Sequence, residues 1–131
     1  MVFIDLFFWL NLALLLAHEL DAIRRREWRM FVFLNRLDDE RAHQLFTLLH
    51  VPLFILIFWF LSRPHQPVYF WFQLVIDLFL IIHLGLHLLF RNHPANAFTS
   101  AFSMGLIGTM ALLGLIHAGL LLTGAPTLSL Y

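Results

Sequence analysis

The chain has 131 residues, of which 61% are hydrophobic and only 12% charged, with eight acids balancing eight arginines. Soluble domains average about 45–50% hydrophobic and about 25% charged residues. A soluble fold of this length could not bury so much apolar surface. No basic surface extends beyond one short segment, which argues against nucleic-acid binding, and the absence of cysteine excludes disulfides, thiolate metal sites and a cysteine nucleophile.

Four apolar segments are long enough to cross a bilayer, whose hydrocarbon core of about 30 Å needs about 20 helical residues. These segments cover approximately residues 2–22, 43–61, 68–90 and 98–123. Lipid offers no partner to open backbone groups, so these segments are expected to be helices. The sequence predicts an all-α bundle of four transmembrane helices, forming one domain over residues 1–131. The first segment lacks the basic region of a signal peptide and is expected to be a retained helix.

Charge is concentrated in the first connection, because twelve of the sixteen charged residues lie between Glu19 and Arg41. Residues 24–31 mix arginine with aromatic side chains, which is typical of a segment lying along the membrane surface. The first connection holds six arginines and the third holds one, against one in the second. The positive-inside rule therefore places both odd-numbered connections in the cytoplasm and both termini outside it. We expect a multi-pass protein of the bacterial inner membrane.

Four histidines fall at a similar depth on three of the predicted helices: His18, His50, His83 and His87. At a helical rise of about 1.5 Å per residue they lie roughly 4–10 Å from the midplane, on the cytoplasmic side. A single intramembrane histidine is more often a hydrogen-bonding residue at a helix interface than a ligand. Four histidines at one level are costly to keep in lipid, so their presence favours a functional site.

Metal coordination suits this group of side chains best, since imidazole binds zinc, iron, copper and nickel and carboxylates complete the set. We predict His18, His50, His83 and His87 as ligands of a transition-metal ion, zinc or iron. His83 and His87, four residues apart, present two imidazoles on one helix face. Glu19 and Asp21 are the candidate catalytic residues, as a base acting on water, an additional ligand, or partners that orient an imidazole.

Other functions are also compatible with the sequence. Two histidines from facing helices can clamp a b-type haem for electron transfer. The chain could instead be a non-enzymatic small subunit of a larger membrane complex, a homo-oligomer, or part of a proton or ion path. Asp5, Asp77 and His117 form a thinner polar layer on the outer side. Asp77 and His117 either pair with each other or extend such a path.

The segment containing His18, Glu19 and Asp21, followed by Glu27 and Trp28, resembles that of an uncharacterised family of small bacterial four-helix membrane proteins. It is also similar to membrane proteins named for a His-x-x-Glu-Glu motif, although Asp21 and Ala22 stand where that motif has two glutamates. The resemblance implies a four-helix membrane fold and no established activity. The pair His83 and His87 resembles a histidine box of membrane di-iron hydroxylases, whose paired-histidine boxes this chain lacks.

Overall fold

The structure, a computed structural model that describes residues 3–124, contains four α-helices. They are α1 (Phe3–Arg25), α2 (Asp39–Leu61), α3 (Pro67–Leu89) and α4 (Ala101–Thr123). Each is long and apolar enough to cross a membrane, and residues 3–124 contain no β-strand. The prediction of an all-α bundle of four transmembrane helices is confirmed, and the chain is a multi-pass membrane protein.

The ends of the helices are fixed by local capping that hydropathy does not detect. Helix α2 begins four residues before its predicted start, because the Asp38 side chain accepts a hydrogen bond from the Arg41 backbone N–H at 3.0 Å. Helix α4 begins later than predicted, because Ser100 caps it by accepting from the Ser103 N–H at 3.1 Å. Helix α1 continues to Arg25, where cations favour a helix C-terminus. Its predicted start at residue 2 lies outside the described residues.

The core lies between α1, α3 and α4, and α2 is packed at its side. Helix α4 contacts both α1 and α3 extensively. Gly114 allows the close approach of α4 to α3, since a Cβ there would lie 3.2 Å from the Asp77 carbonyl oxygen. Helix α2 buries only Ala42, Phe46 and Ile57. Helix α2 therefore packs less closely against its neighbours than α4 packs against α1 and α3.

The connection between α1 and α2 folds back against the bundle through an unusual backbone turn. Arg26 adopts the left-handed conformation with φ 56°, and the 3₁₀ turns Glu27–Met30 and Leu34–Arg36 follow. Arg29 anchors the first turn to the start of α2 by an ion pair of 2.6 Å with Asp39. Phe33 further along is 83% exposed. The turn carries Glu27 inward, where it is buried.

Candidate metal centre

Three imidazoles and one carboxylate converge where α1 and α3 end. They belong to His18 on α1, His83 and His87 on α3, and Glu27 in the 3₁₀ turn that follows α1. Each offers one ligand atom, and all four atoms lie within 4.8 Å of one another. Three of the four predicted histidine ligands are therefore brought together, and the fourth member of the group is a carboxylate.

The nitrogen atoms in this cluster cannot satisfy one another by hydrogen bonding. Nε2 of His83 lies 2.8 Å from Nε2 of His18 and 3.1 Å from Nε2 of His87. A neutral ring nitrogen has either one hydrogen or one lone pair, so His83 can make only one of these two bonds. A shared cation would accept all the lone pairs at once. Tetrahedral ligands about 2.0–2.1 Å from zinc lie about 3.3 Å apart, close to the separations found.

The Glu27 carboxylate lies beside the histidines, with Oε1 3.5 Å from His87 Nε2 and Oε2 3.9 Å from His18 Nε2. Burial by itself raises the pKa of Glu27, but the interactions with His87, His83 and His18 outweigh it and lower the pKa below its usual value. In its ionised form the Glu27 carboxylate would offset part of the charge of a bound ion.

Aromatic packing holds two of the imidazole rings in place. The buried Phe98 ring lies 4.5 Å from the His87 ring and 5.7 Å from the His18 ring, measured between centroids. Metal-bound histidines usually donate their second ring N–H to a carboxylate or carbonyl. Within the described part of the chain, Nδ1 of His18 and of His87 have no such partner. Contacts with Phe98 therefore orient these rings in place of hydrogen bonds.

His50 and Glu19, also predicted as site residues, form a separate pair beside the cluster. Nε2 of His50 lies 2.7 Å from Glu19 Oε2, and its Nδ1 lies 2.7 Å from the Phe46 carbonyl oxygen. Both neighbours of the ring accept hydrogen bonds, so Nδ1–H donates to Phe46 and a further proton lies between Nε2 and the carboxylate. The pair holds that proton jointly. His50 lies outside the group of four converging ligand atoms.

Asp21, the second predicted catalytic carboxylate, joins the end of α1 to the start of α4. The Ser103 hydroxyl donates to Asp21 Oδ2 at 2.5 Å, and Arg25 Nε donates to Oδ1 at 3.3 Å. Arg25 also donates to the capping residue Ser100 at 3.1 Å. These bonds occupy both carboxylate oxygens. The position of Asp21 suits a role in holding the two helix ends together around the cluster.

A cavity of about 290 Å³ connects the cluster with the Glu19–His50 pair. Its polar lining comes from Glu19, Glu27, His50, His83 and His87. The remainder is apolar: Met30, Phe31, Phe46, Phe79, Leu86 and Phe90. The candidate metal centre is thus accessible to a small molecule on one side.

Glu27 is the site residue that the sequence analysis missed. Hydropathy places Glu27 outside the predicted transmembrane helices. Its segment also contains arginines, which the positive-inside rule already explains. One signal was present, because Glu27 is the sole acid between Arg24 and Arg36. Its approach to the histidines depends on the left-handed turn at Arg26, which non-glycine residues seldom adopt.

The outer polar layer forms a second buried group, separate from the cluster. His117 Nδ1 donates to Asp77 Oδ2 at 2.6 Å, and both side chains are fully buried. Phe8 stacks on the His117 ring with 5.4 Å between centroids. The nearby Asn11 amide, in its hydrogen-bonded orientation, donates to the Met110 carbonyl and accepts from the Gly114 N–H at 2.9 Å. Of the two arrangements predicted for Asp77 and His117, the structure has the direct pair.

Comparison with known proteins identifies a family. Residues 4–124 match a family described as a family of unknown function, DUF6713, and the chain belongs to it. No curated protein and no solved structure matches the chain. The similarity to the His-x-x-Glu-Glu membrane proteins has no support from this match and stays a prediction.

Proposed function

We propose that this member of the DUF6713 family binds one transition-metal ion through His18, Glu27, His83 and His87. One observation carries the proposal: four ligand atoms from α1, α3 and the first connection lie within 4.8 Å of one another. Intramembrane ionisable groups are costly to maintain and are usually functional. An ion shared by all four would relieve the competition for hydrogen bonds at His83 Nε2.

The chemistry of the ligands favours zinc or iron over the hard divalent cations. Magnesium and calcium prefer sites made of oxygen ligands, whereas this cluster has three imidazole nitrogens and one carboxylate. Imidazole suits zinc, iron, copper and nickel. None of the four ligand residues carries sulfur, whereas thiolate and thioether ligands select copper(I).

We propose further that the ion is the reactive centre of a membrane enzyme acting on an apolar substrate. Structural zinc sites are closed by four protein ligands, while catalytic sites also hold water or substrate. With all four side chains bound, the ion would take its substrate as a fifth ligand, as catalytic zinc does when it becomes five-coordinate. Glu27, His83 and His87 line the cavity of about 290 Å³, as does the proton-holding Glu19–His50 pair. A bound ion would polarise a substrate oxygen, and the pair lies where it can exchange a proton with that substrate.

The arrangement favours a single ion over a b-type haem. Axial histidines bind haem iron from opposite faces of the macrocycle, so the porphyrin must pass between their rings. Here the three Nε2 atoms meet at 2.8 Å and 3.1 Å with no gap between them. An absorption spectrum of the purified protein from haem-replete cells tests this directly: we expect no Soret band.

We also propose a bacterial inner-membrane location with both termini outside the cytoplasm, supported by the bias of arginine toward the first and third connections. The natural absence of cysteine makes the test simple. Asn35→Cys in the first connection should resist a membrane-impermeant maleimide in intact cells, while Ser62→Cys in the second should react. The reverse pattern would invert the proposed topology.

Metal content of the detergent-purified protein tests the proposed centre. We expect about one zinc or iron per wild-type chain, and less than about a tenth of that in the double variant His83→Ala, His87→Ala, since both imidazoles of α3 are lost. His65→Ala, in the exposed turn between α2 and α3, is the matched control and should keep its metal. Folded wild-type protein that takes up no metal from a zinc or iron buffer would refute the proposal.

A further inference from the structure

We propose that the cavity beside the metal centre binds a single-chain acyl lipid, which enters from the bilayer between α2 and α3 with its carbonyl end toward the cluster. The inference deepens the proposed function by naming a substrate class, and it rests on that function for the role of the metal. Three features of the cavity support it: its size, its entrance and the distribution of its polar groups.

The size of the cavity limits the ligand. At about 290 Å³ it lies at the lower end of the range of about 300–1,000 Å³ for small-molecule sites. That space accommodates a polar end group and part of one hydrocarbon chain. A lipid with two acyl chains would leave most of its apolar surface outside, so a single-chain lipid fits better.

The exposed residues of the cavity wall are all apolar, which points the entrance toward lipid rather than water. Three residues of the cavity wall belong to α3 or its end and are also exposed at the surface of the bundle: Phe79 by 46%, Leu86 by 45% and Phe90 by 43%. The opposite wall includes Phe46 and His50 on α2. Since α2 and α3 both cross the membrane, the opening between them at this level leads into the acyl region. A lipid can therefore reach the site without leaving the bilayer.

The cavity wall combines five polar side chains with six aromatic or aliphatic ones, which matches the division of an acyl lipid into a polar end and a chain. Recognition of a phosphate group ordinarily uses arginine, lysine or helix N-termini, and neither basic residue lines this cavity. A carbonyl oxygen needs only the ion and a hydrogen-bond donor. The cluster and the His50–Glu19 pair supply those two partners.

A photo-reactive monoacylglycerol, carrying a diazirine in its acyl chain, tests the inference on the purified metal-loaded protein. We expect crosslinks to concentrate on lining residues of α2 and α3. Leu86→Trp, which fills the cavity, should reduce this labelling at least about fivefold. Leu88→Trp is the matched control, because Leu88 is 49% exposed on the same helix and does not line the cavity. Its labelling should equal that of the wild type.

Competition with unlabelled lipids identifies which polar end group of the lipid the cavity prefers. A monoacylglycerol or a fatty acid of the same chain length should displace the probe, and whichever competes better shows whether an ester or a free carboxylate is preferred. Phosphatidylcholine should compete poorly. Equal competition by phosphatidylcholine, or crosslinks spread evenly over all exposed apolar residues, would overturn the inference, and mapping on the wild type decides this even if Leu86→Trp does not fold.

The metal content of the same samples separates the two proposals. Wild-type protein that holds metal but shows no labelling confined to the cavity would refute the lipid site and leave the metal centre intact. Protein without metal whose cavity is nevertheless labelled selectively would refute the metal centre while supporting the lipid site. Loss of labelling in Leu86→Trp with metal retained is the result that we expect.

Discussion

Two buried groups of polar side chains lie inside the same apolar bundle, and their difference separates a candidate site from a structural contact. The Asp77–His117 pair is fully buried, and each side chain binds the other at 2.6 Å. In the cluster of His18, His83 and His87, three ring nitrogens converge and compete for hydrogen bonds that they cannot all make. The pair forms a contact between α3 and α4, although Asp77 Oδ1 and His117 Nε2 have no partner among the described residues. The cluster has ligand atoms from three segments of the chain, and a cation of the kind proposed would satisfy them together.

Access differs between the two groups as well. Glu27, His83 and His87 line the cavity beside α2, and neither Asp77 nor His117 does. Gly114 instead draws α4 close to α3 beside Asp77. A histidine within a transmembrane helix therefore does not by itself indicate function. Whether an ion or a substrate can reach the free lone pair of the ring decides between a candidate site and a structural contact.

The largest expected effect is at Glu27, which takes the place in the cluster that was predicted for His50. Glu27→Gln removes the negative charge that faces His18 and His87, and we expect metal affinity to fall at least about 100-fold, beyond the loss seen when outer partners of ligands are changed. His50→Ala should leave the affinity within about threefold of wild type, since His50 binds Glu19 and Phe46 instead. Competition with a chromogenic chelator measures both constants. A greater loss of metal affinity in His50→Ala than in Glu27→Gln would mean that His50 is the ligand and Glu27 is not.

A smaller and different effect is expected in the Asp77–His117 pair. His117→Ala removes the partner of a buried carboxylate and should lower the free energy of unfolding by about 1–2 kcal/mol, the value that model peptides give for interhelical hydrogen bonds in membranes. Metal affinity should not change. Unfolding in mixed micelles and the chelator titration provide the two readouts. Loss of metal at wild-type stability would show that the comparison between the groups is wrong.

The smallest expected effect tests the helix contact beside that pair. Gly114→Ala places a Cβ 3.2 Å from the Asp77 carbonyl oxygen, so α4 must shift, and we expect a loss of about 1 kcal/mol in unfolding free energy. Gly105→Ala is the control on the same helix, because a Cβ there meets nothing within 4 Å. It should be neutral or slightly stabilising. Equal losses in both variants would mean that helix propensity, and not packing against Asp77, determines the result.

Hydropathy was sufficient to predict the four helices, and depth along them was sufficient to bring together His18, His83 and His87. Depth could not identify the fourth member of the cluster, because residues at one level need not face the same neighbour. Helix α2 lies at the side of the bundle, so His50 meets Glu19 first. Glu27 reaches the cluster through the left-handed backbone at Arg26, a conformation that the pattern of apolar residues does not encode.

X-ray absorption at the edge of the bound metal measures the ligands of the proposed centre. We expect four nitrogen or oxygen ligands near 2.0–2.1 Å, about the values of zinc–imidazole and zinc–carboxylate bonds, with outer scattering from three imidazole rings. Glu27→Gln should change the inner shell and keep the three-ring signal. Fewer than two imidazoles at the metal, or sulfur in its inner shell, would contradict a centre built from His18, Glu27, His83 and His87.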